Sequence, residues 1–159
     1  MPSTKIFIDT EFTNFAKPQL ISIGLVTNTG AEFYAETPYL ENECSDFVKN
    51  AVIPLLGKLP NVSCSFDELQ TKLLNWLNLV CQDYDEVVVC FDYHVDWELF
   101  VYSLQGALPP CCKPRLIGRE INKLLRYDFY RRSNLPEHHA LYDARAISYS
   151  FRERPSVTF

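Results

Sequence analysis

The segment KIFIDTEF, residues 5–12, joins an apolar, β-prone run to two acidic residues. Residues 5–9 are predicted to form a strand, because branched and aromatic side chains follow one another without a turn signal. Side chains two positions apart lie on the same face of a strand, so the carboxylates of Asp9 and Glu11 converge. A D-x-E pattern alone is equally typical of an ordinary solvated strand end, and other residues must decide between the two interpretations.

Two more strands are predicted to form an antiparallel meander with the first. Residues 19–26 are an apolar run, residues 32–36 alternate, and a turn signal lies between them at residues 28–30. Residues 42–58 give no clear prediction, because a proline and a glycine interrupt them, although a short helix over residues 46–51 is compatible with their composition.

The clearest helix signal follows Ser65, a predicted N-cap that Glu68 completes as a capping box. Residues 87–91 are a continuous apolar run, which is expected of a strand buried on both faces beside helices. The helix after Ser65 is amphipathic, and its apolar face contains Leu69, Leu73, Trp76, Leu77 and Val80.

The remaining elements complete a predicted α/β fold. Helices are expected over residues 96–104 and 137–152, with a strand and a short helix somewhere in residues 115–126. This order of strands and helices predicts a mixed sheet flanked by helices, built as one domain over residues 1–159. The residues of the last helix that are spaced to meet the sheet are Ala140, Asp143, Ala144 and Ile147.

The composition indicates an intracellular protein. The chain has 159 residues, 47% of them hydrophobic and 22% charged. No stretch approaches the roughly 18 apolar residues of a membrane span, and the amino terminus resembles a strand, not a secretory leader. We therefore expect a cytoplasmic protein without a membrane partner.

The six cysteines lack a paired C-x-x-C spacing and are expected to be reduced thiols. Cys81 and Cys90 are predicted to lie in the core, whereas Cys111 and Cys112 follow two prolines in a predicted loop. Those two could hold zinc together with His138 and His139, but adjacent cysteines rarely bind one ion together.

Charge is distributed unevenly along the chain, whose formal net charge is −5. Residues 113–159 contain ten basic residues against five acids, a net charge of +5, and the preceding residues carry −10. This asymmetry is compatible with a basic surface that contacts phosphates beside an acidic surface that binds metal. Solvated helix faces would give the same count.

A second acidic position follows the strand predicted at residues 87–91. Asp96 lies where a helix begins, and Asp92 lies four residues earlier. An aspartate at a helix start is commonly only a cap. A third set is His138 with Asp143, five residues apart, which would not stack as neighbours on one regular helix. If His138 lies in a loop before the helix, it can reach the cleft that Asp143 faces.

Together these residues indicate metal-dependent chemistry on phosphate. Clustered carboxylate oxygens suit hard ions such as Mg²⁺ or Mn²⁺. Two such ions can promote in-line displacement at a phosphodiester, and a histidine can take the proton from the attacking water.

At these residues the chain resembles the DnaQ-like, or DEDDh, exonuclease superfamily. The resemblance is carried by D-x-E on the first strand, by an acid after the fourth strand, and by H-x-x-x-x-D on the last helix. It is nearest to the small stand-alone bacterial and phage exoribonucleases, relatives of ribonuclease T and oligoribonuclease. It implies a ribonuclease-H-like five-stranded sheet and a 3′→5′ exonuclease with two divalent ions.

The resemblance also implies roles for individual residues. Asp9, Glu11 and Asp143 would hold the metals, Asp96 would assist, and His138 would be the general base. Asp92 departs from the pattern, because many members place asparagine there. Phe12 and Thr13 resemble positions that contact the terminal nucleotide, and Trp97 could line the cleft, although core packing explains Phe12 and Trp97 as well. Candidate contacts to the nucleic-acid backbone are Arg115, Arg119, Lys123, Arg126, Arg131 and Arg132.

The implied partner is the 3′ end of single-stranded nucleic acid, with RNA favoured over DNA by resemblance alone. A homodimer is compatible with the behaviour of related stand-alone exonucleases. The alternatives are a non-catalytic module that binds nucleic acid or a protein partner, and a proofreading subunit for DNA synthesis.

Overall fold

A five-stranded mixed sheet forms the centre of the protein. A computed structural model describes residues 2–155; residue 1 and residues 156–159, which the predicted domain also includes, lie outside the described residues. The strand order is β3-β2-β1-β4-β5. The strands are β1 (Ser3–Phe12), β2 (Leu20–Thr27), β3 (Glu32–Glu36), β4 (Glu86–Phe91) and β5 (Cys112–Leu116).

The sheet combines two kinds of strand pairing. β1, β2 and β3 form the predicted antiparallel meander, whereas β4 lies parallel to β1 on its other side and β5 lies parallel to β4. Because β1 and β4 run in the same direction, their carboxyl ends meet at one edge of the sheet. This arrangement confirms the predicted mixed five-stranded α/β architecture.

Helices cover both faces of the sheet. The helices are α1 (Phe66–Cys81), α2 (His94–Ser103), α3 (Lys123–Ser133) and α4 (Ala140–Ser150). Alternate residues of β1 pack on opposite faces: Ile6 and Ile8 join the core under α1 and α2, and Phe7 packs with Ile147 of α4. In the described part of the chain, no helix combines the length and hydrophobicity that crossing a membrane requires.

The capping box at the start of α1 is formed as predicted. Ser65 Oγ accepts a hydrogen bond from the Glu68 main-chain N–H at 3.1 Å, and the Glu68 carboxylate accepts one from the Ser65 N–H at 3.2 Å. Leu69, Leu73 and Leu77 are fully buried against the sheet. The predicted helix and its apolar face are therefore confirmed.

Several predicted boundaries were wrong. The last helix begins at Ala140, not at residue 137, because His138 has a left-handed backbone with φ 68° that a helix cannot contain. The strand expected within residues 115–126 begins earlier, so Cys112 is buried at the start of β5 instead of lying in a loop. The short helix expected over residues 46–51 is largely a π-helical turn, Val48–Val52.

Gly24 is where α4 approaches the sheet most closely. A Cβ atom at this position of β2 would lie 2.6 Å from main-chain atoms of Ala140 and Leu141. We expect Gly24→Ala to lower the free energy of unfolding by about 3 kcal/mol, because backbone atoms must move apart. Urea unfolding measures the change, and Ser22→Ala, on the same face of β2, is the control that adds no atoms. A Gly24→Ala protein as stable as the control would contradict the close packing.

Candidate metal centre

Five carboxylates meet at the edge of the sheet where β1 and β4 end. Ligand oxygens of Asp9, Glu11 and Asp143 lie within 4.8 Å of one another, and so do those of Asp9, Asp92 and Asp96. Asp9 belongs to both groups of three. Asp9 is thus the carboxylate common to both groups that could hold a cation.

The fold explains why residues so distant in sequence converge. Asp9 and Glu11 share the face of β1 that α4 covers, and α4 contributes Asp143. Asp92 directly follows β4, and Asp96 lies in the first turn of α2. The fold therefore brings together all four carboxylates predicted as metal ligands. It also places Asp92, for which the sequence left the role open, beside them.

Hydrogen bonds orient the two most buried carboxylates. Asp96 Oδ1 accepts from the Thr10 hydroxyl at 2.6 Å and from the Thr10 main-chain N–H at 3.2 Å. Asp143 Oδ1 accepts from the Tyr130 hydroxyl, and Asp143 Oδ2 accepts from the His138 N–H at 3.1 Å. These donors fix the direction in which the remaining carboxylate lone pairs point.

The cluster strongly disfavours its own negative charge. Burial, followed by repulsion from the neighbouring acids, raises the pKa of Asp9 well above its usual value and that of Glu11 to about 9. Burial raises the pKa of Asp96 to about 7, although the hydrogen bonds from Thr10 oppose the shift. Carboxylates packed this closely need protons or cations to coexist.

The donor set is suited to a hard divalent ion. Asp9 Oδ2 is buried, and no residue in the described part of the chain donates a hydrogen bond to it. A buried acceptor without a donor is costly in water-excluding surroundings, and a cation satisfies it. With oxygen as the only ligand atom, Mg²⁺ or Mn²⁺ suits these residues better than zinc does.

Stability should depend on pH and metal together. Glu11 and Asp96 have folded pKa values above their unfolded ones, so their contribution to stability is present at low pH and is lost as pH rises through 7 to 9. A divalent ion offsets this loss because it binds the ionised groups. We expect Mg²⁺ or Mn²⁺ to raise the melting temperature by about 5 °C or more at pH 8.5 and by much less at pH 5.5. Thermal melts with each ion and with EDTA measure the difference; a metal effect independent of pH would contradict this electrostatic description.

His138 lies in the loop before α4, as its predicted role requires. Its positive φ turns the chain so that its main-chain N–H faces the Asp143 carboxylate. Its ring packs edge-on against Phe47, with centroids 4.9 Å apart. By contrast, His139 is buried and stacks between Tyr34 and Tyr142, and burial lowers its pKa to about 4. The two adjacent histidines therefore have different surroundings, one beside the acids and one in the core.

Aromatic side chains surround the acidic cluster. This aromatic rim consists of Phe12, Phe15, Phe47 and Tyr93, and Phe15 contacts both Phe12 and Tyr93 edge-on. Phe15 is 74% exposed and Phe47 is 55% exposed. A small cavity of about 110 Å³ opens beside Glu11 and is lined by three of the four rim residues. Exposed rings at this position can contact a ligand that reaches the acidic cluster.

The structure places the other predicted substrate contacts differently. Thr13 is fully buried, and its hydroxyl accepts a hydrogen bond from the Gln19 N–H at 3.1 Å, so it supports the loop after β1. Trp97 stacks on Phe91 in the core, with centroids 5.9 Å apart. Both positions favour structural roles, and substrate contact by either residue stays a prediction.

The sequence patterns did not indicate Tyr130, and they did not distinguish Arg126 from the other basic candidates for contact with the nucleic-acid backbone. Both lie on α3, where Arg126 forms an ion pair with Asp92 at 3.5 Å. Other arginines among the predicted backbone contacts are paired elsewhere: Arg115 with Glu120, and Arg132 with Asp128. Apolar periodicity did not single out α3, because none of its residues is buried, although Asn122 caps its start and the left-handed Asn134 ends it.

The sequence matches no protein-family model and no curated protein. Solved structures nevertheless share its fold. The nuclease domain of 3′hExo, a DEDDh family member, bound to rAMP, aligns over 97% of this chain and 97% of its own with a TM-score of 0.59 and 15% identity. A 3′-exonuclease in 3′-end-specific recognition of histone mRNA stem-loop aligns over 91% of this chain and 61% of its own, with a TM-score of 0.56 and 14% identity.

A third structure, cell-death related nuclease 4, aligns over 91% of this chain and 61% of its own, with a TM-score of 0.51 and 14% identity. The alignments cover 91–97% of this chain, so the similarity extends over the whole sheet and its flanking helices. The chain has the ribonuclease-H-like fold of the DEDDh exonucleases.

Proposed function

We propose that this protein is a metal-dependent 3′→5′ exonuclease that hydrolyses phosphodiester bonds at the end of single-stranded nucleic acid. The observation that carries the proposal is the pair of carboxylate triads that share Asp9, with His138 beside Asp143. The fold supports it, because the similar structures are nucleases by name.

The residues divide the chemistry between them. Two divalent ions, Mg²⁺ or Mn²⁺, would promote attack by water and stabilise the leaving oxygen. Asp9, Glu11, Asp96 and Asp143 supply the ligand oxygens, and Asp92 adds a fifth carboxylate. His138 accepts the proton from the attacking water as general base.

Neighbouring residues orient the carboxylates that would bind the ions. Thr10 and Tyr130 hold the carboxylates of Asp96 and Asp143, and Arg126 lies beside Asp92, where it can contact a phosphate once cations offset the negative charge. Hydrogen bonds of this kind to ligand carboxylates commonly change metal affinity or activity by about 10–100-fold when they are removed.

The substrate is proposed to be single-stranded, with RNA favoured over DNA. A rim of exposed rings can stack on unpaired bases of any sequence, whereas bases within a duplex are already stacked. The RNA preference is supported by what the similar proteins bind or recognise, rAMP in one and a histone mRNA stem-loop in another. A second copy of the chain that helps to bind the strand stays a prediction.

The aromatic rim should affect substrate binding more than chemistry. We expect Phe15→Ala to raise KM for a short single strand about tenfold and to change kcat little, because a stacked base contributes roughly 1–3 kcal/mol. Phe47→Ala should raise KM similarly and should also lower kcat, because the Phe47 ring packs against His138. Tyr102→Ala is the matched control, since Tyr102 is 67% exposed at the far end of α2 from Asp96. Steady-state kinetics separates the two parameters, and equal KM values for all three variants would exclude stacking on the rim.

The experiment that tests the function uses 5′-labelled single-stranded RNA and DNA of one sequence, with Mg²⁺, Mn²⁺ or EDTA. We expect metal-dependent ladders that shorten from the 3′ end, and faster digestion of RNA. A circular RNA of the same sequence is the control, because it has no end and should stay intact. Intact linear strands under every metal condition, with binding retained, would instead indicate a non-catalytic binding module. Clear preference for DNA would favour a proofreading activity.

A further inference from the structure

Three cysteines lie close together near the amino end of β4, at the end of the sheet opposite the carboxylates. Cys81 is the last residue of α1, Cys111 lies in the turn before β5, and Cys112 is the first residue of β5. Their sulfur atoms all lie within 4.8 Å of one another. Cys112 pairs in register with Val87, near the amino end of β4, whereas the acidic cluster lies beyond the carboxyl end of that strand. The sulfur cluster is therefore separate from the candidate metal centre.

Each of the three cysteines takes part in one main-chain hydrogen bond outside the regular elements. The Cys111 carbonyl accepts a hydrogen bond from the Val87 N–H at 2.9 Å, and the Cys112 N–H donates to the Pro109 carbonyl at 3.0 Å. The Cys81 carbonyl accepts from the Tyr84 N–H at 3.2 Å in the turn after α1. The turn at Pro109 directs two adjacent cysteines toward a third, which an extended strand would not do because neighbouring side chains alternate.

We propose that Cys81, Cys111 and Cys112 form a three-thiolate site for a thiophilic d¹⁰ cation, of the Zn²⁺ or Cu⁺ class. Bonds of about 2.3 Å from three sulfurs to one ion place the sulfurs roughly 4 Å apart, so the observed cluster needs to contract by only about 1 Å. Soft sulfur ligands select ions of this class over Mg²⁺ or Mn²⁺. Cys81 and Cys111 are half-buried, which leaves a side of the site open to a water molecule as a fourth ligand.

An ion that binds at the three cysteines has to displace their thiol protons. Burial and the proximity of Cys111 raise the pKa of Cys81 to about 12, and burial and the other two cysteines raise the pKa of Cys112 as well. Thiols held protonated in this way are slow to oxidise or to exchange disulfides. A bound cation favours the thiolate form instead. Each thiol loses its proton and its sulfur bonds to the ion, so three protons are released for each ion bound.

An ion bound by the three cysteines would cross-link α1 to β5, the edge strand of the sheet. β5 contains Pro114 and has mostly exposed side chains, and the loop that precedes it contacts β4 through few hydrogen bonds. An ion shared by Cys81 and Cys112 links that edge to the helix covering the core. We therefore expect Zn²⁺ to raise the melting temperature by roughly 5–10 °C at a hundredfold excess over its dissociation constant.

The test titrates the reduced full-length chain with Cd²⁺, in excess Mg²⁺ that occupies the carboxylates. We expect an ultraviolet sulfur-to-cadmium charge-transfer band that saturates at one ion per chain, with release of about three protons. Cys81→Ser and Cys111→Ser should each weaken binding by at least tenfold and release about two protons. Cys64→Ser, which removes a buried thiol outside the cluster, should behave like the unchanged protein.

Three results would overturn the proposal. One is the absence of a charge-transfer band, and another is a band that survives unchanged in both cluster variants. The third is a disulfide between Cys81 and Cys111 or Cys112, found by mass spectrometry, in a protein that binds no Cd²⁺ after reduction. Circular dichroism checks that each variant folds. Cys81 and Cys111 are only half-buried, so both serine variants are expected to fold, and each tests the cadmium site independently of the other. The outcome is independent of nuclease activity, which the cadmium band does not report.

Discussion

Asp9→Asn is expected to lower the rate of nucleotide release by at least about 10³-fold. Asp9 belongs to both carboxylate triads, so its loss weakens both proposed cation sites at once. Losing several kcal/mol of transition-state stabilisation corresponds to a rate change of this size. Rates are measured with end-labelled RNA at saturating Mg²⁺. Asp67→Asn, at the start of α1, is the matched control and should keep full activity.

The same substitution should stabilise the metal-free protein. An asparagine in place of Asp9 carries no charge into a cluster whose members repel one another, so the free energy of unfolding in EDTA at pH 8.5 should rise. Opposite effects on activity and stability distinguish loss of metal from loss of fold. An inactive Asp9→Asn protein that is also less stable than the original in EDTA would argue that Asp9 is a structural residue.

His138→Ala is expected to lower kcat by about 10²–10⁴-fold and to leave metal-dependent stabilisation intact, because a general base contributes to proton transfer and not to ion binding. Single-turnover digestion measures the chemical step, and imidazole added to the solution should restore part of the rate.

The neighbouring histidine provides the control. His139 is 3% exposed and stacks between two tyrosines, so His139→Ala should lower the free energy of unfolding by about 2–3 kcal/mol through lost packing. It should reduce kcat far less than His138→Ala does. Equal kinetic losses in the two variants would contradict the assignment of the base to His138.

Local sequence patterns were sufficient for much of the fold. The capping box at Ser65 and the apolar periodicity of α1 are short-range signals, and the structure confirms both. The alternation in β1 predicted that Asp9 and Glu11 share a face, which requires only the two-residue repeat of a strand. Features that depend on neighbouring residues along the chain were therefore predictable.

Features that depend on tertiary contacts or on an unusual backbone conformation were not predictable from local patterns. α3 has no apolar face, and it is held by contacts with α4 and by the hydrogen bond from Tyr130 to Asp143, which no local pattern encodes. The late start of α4 follows from the left-handed His138, whose N–H binds a carboxylate five residues ahead. Cys81 meets Cys111 and Cys112 only because α1 and β5 pack on the same end of β4.

One carboxylate, Asp9, is proposed to join two cation sites at which a phosphodiester is hydrolysed. The most direct test measures the initial rate of 3′-terminal nucleotide release from single-stranded RNA as Mn²⁺ is raised from below saturation. We predict that the rate rises with the second power of the Mn²⁺ concentration in the original protein and stays near background in Asp9→Asn. A first-power dependence, or release of nucleotides that does not require Mn²⁺, would contradict the two-ion description of this site.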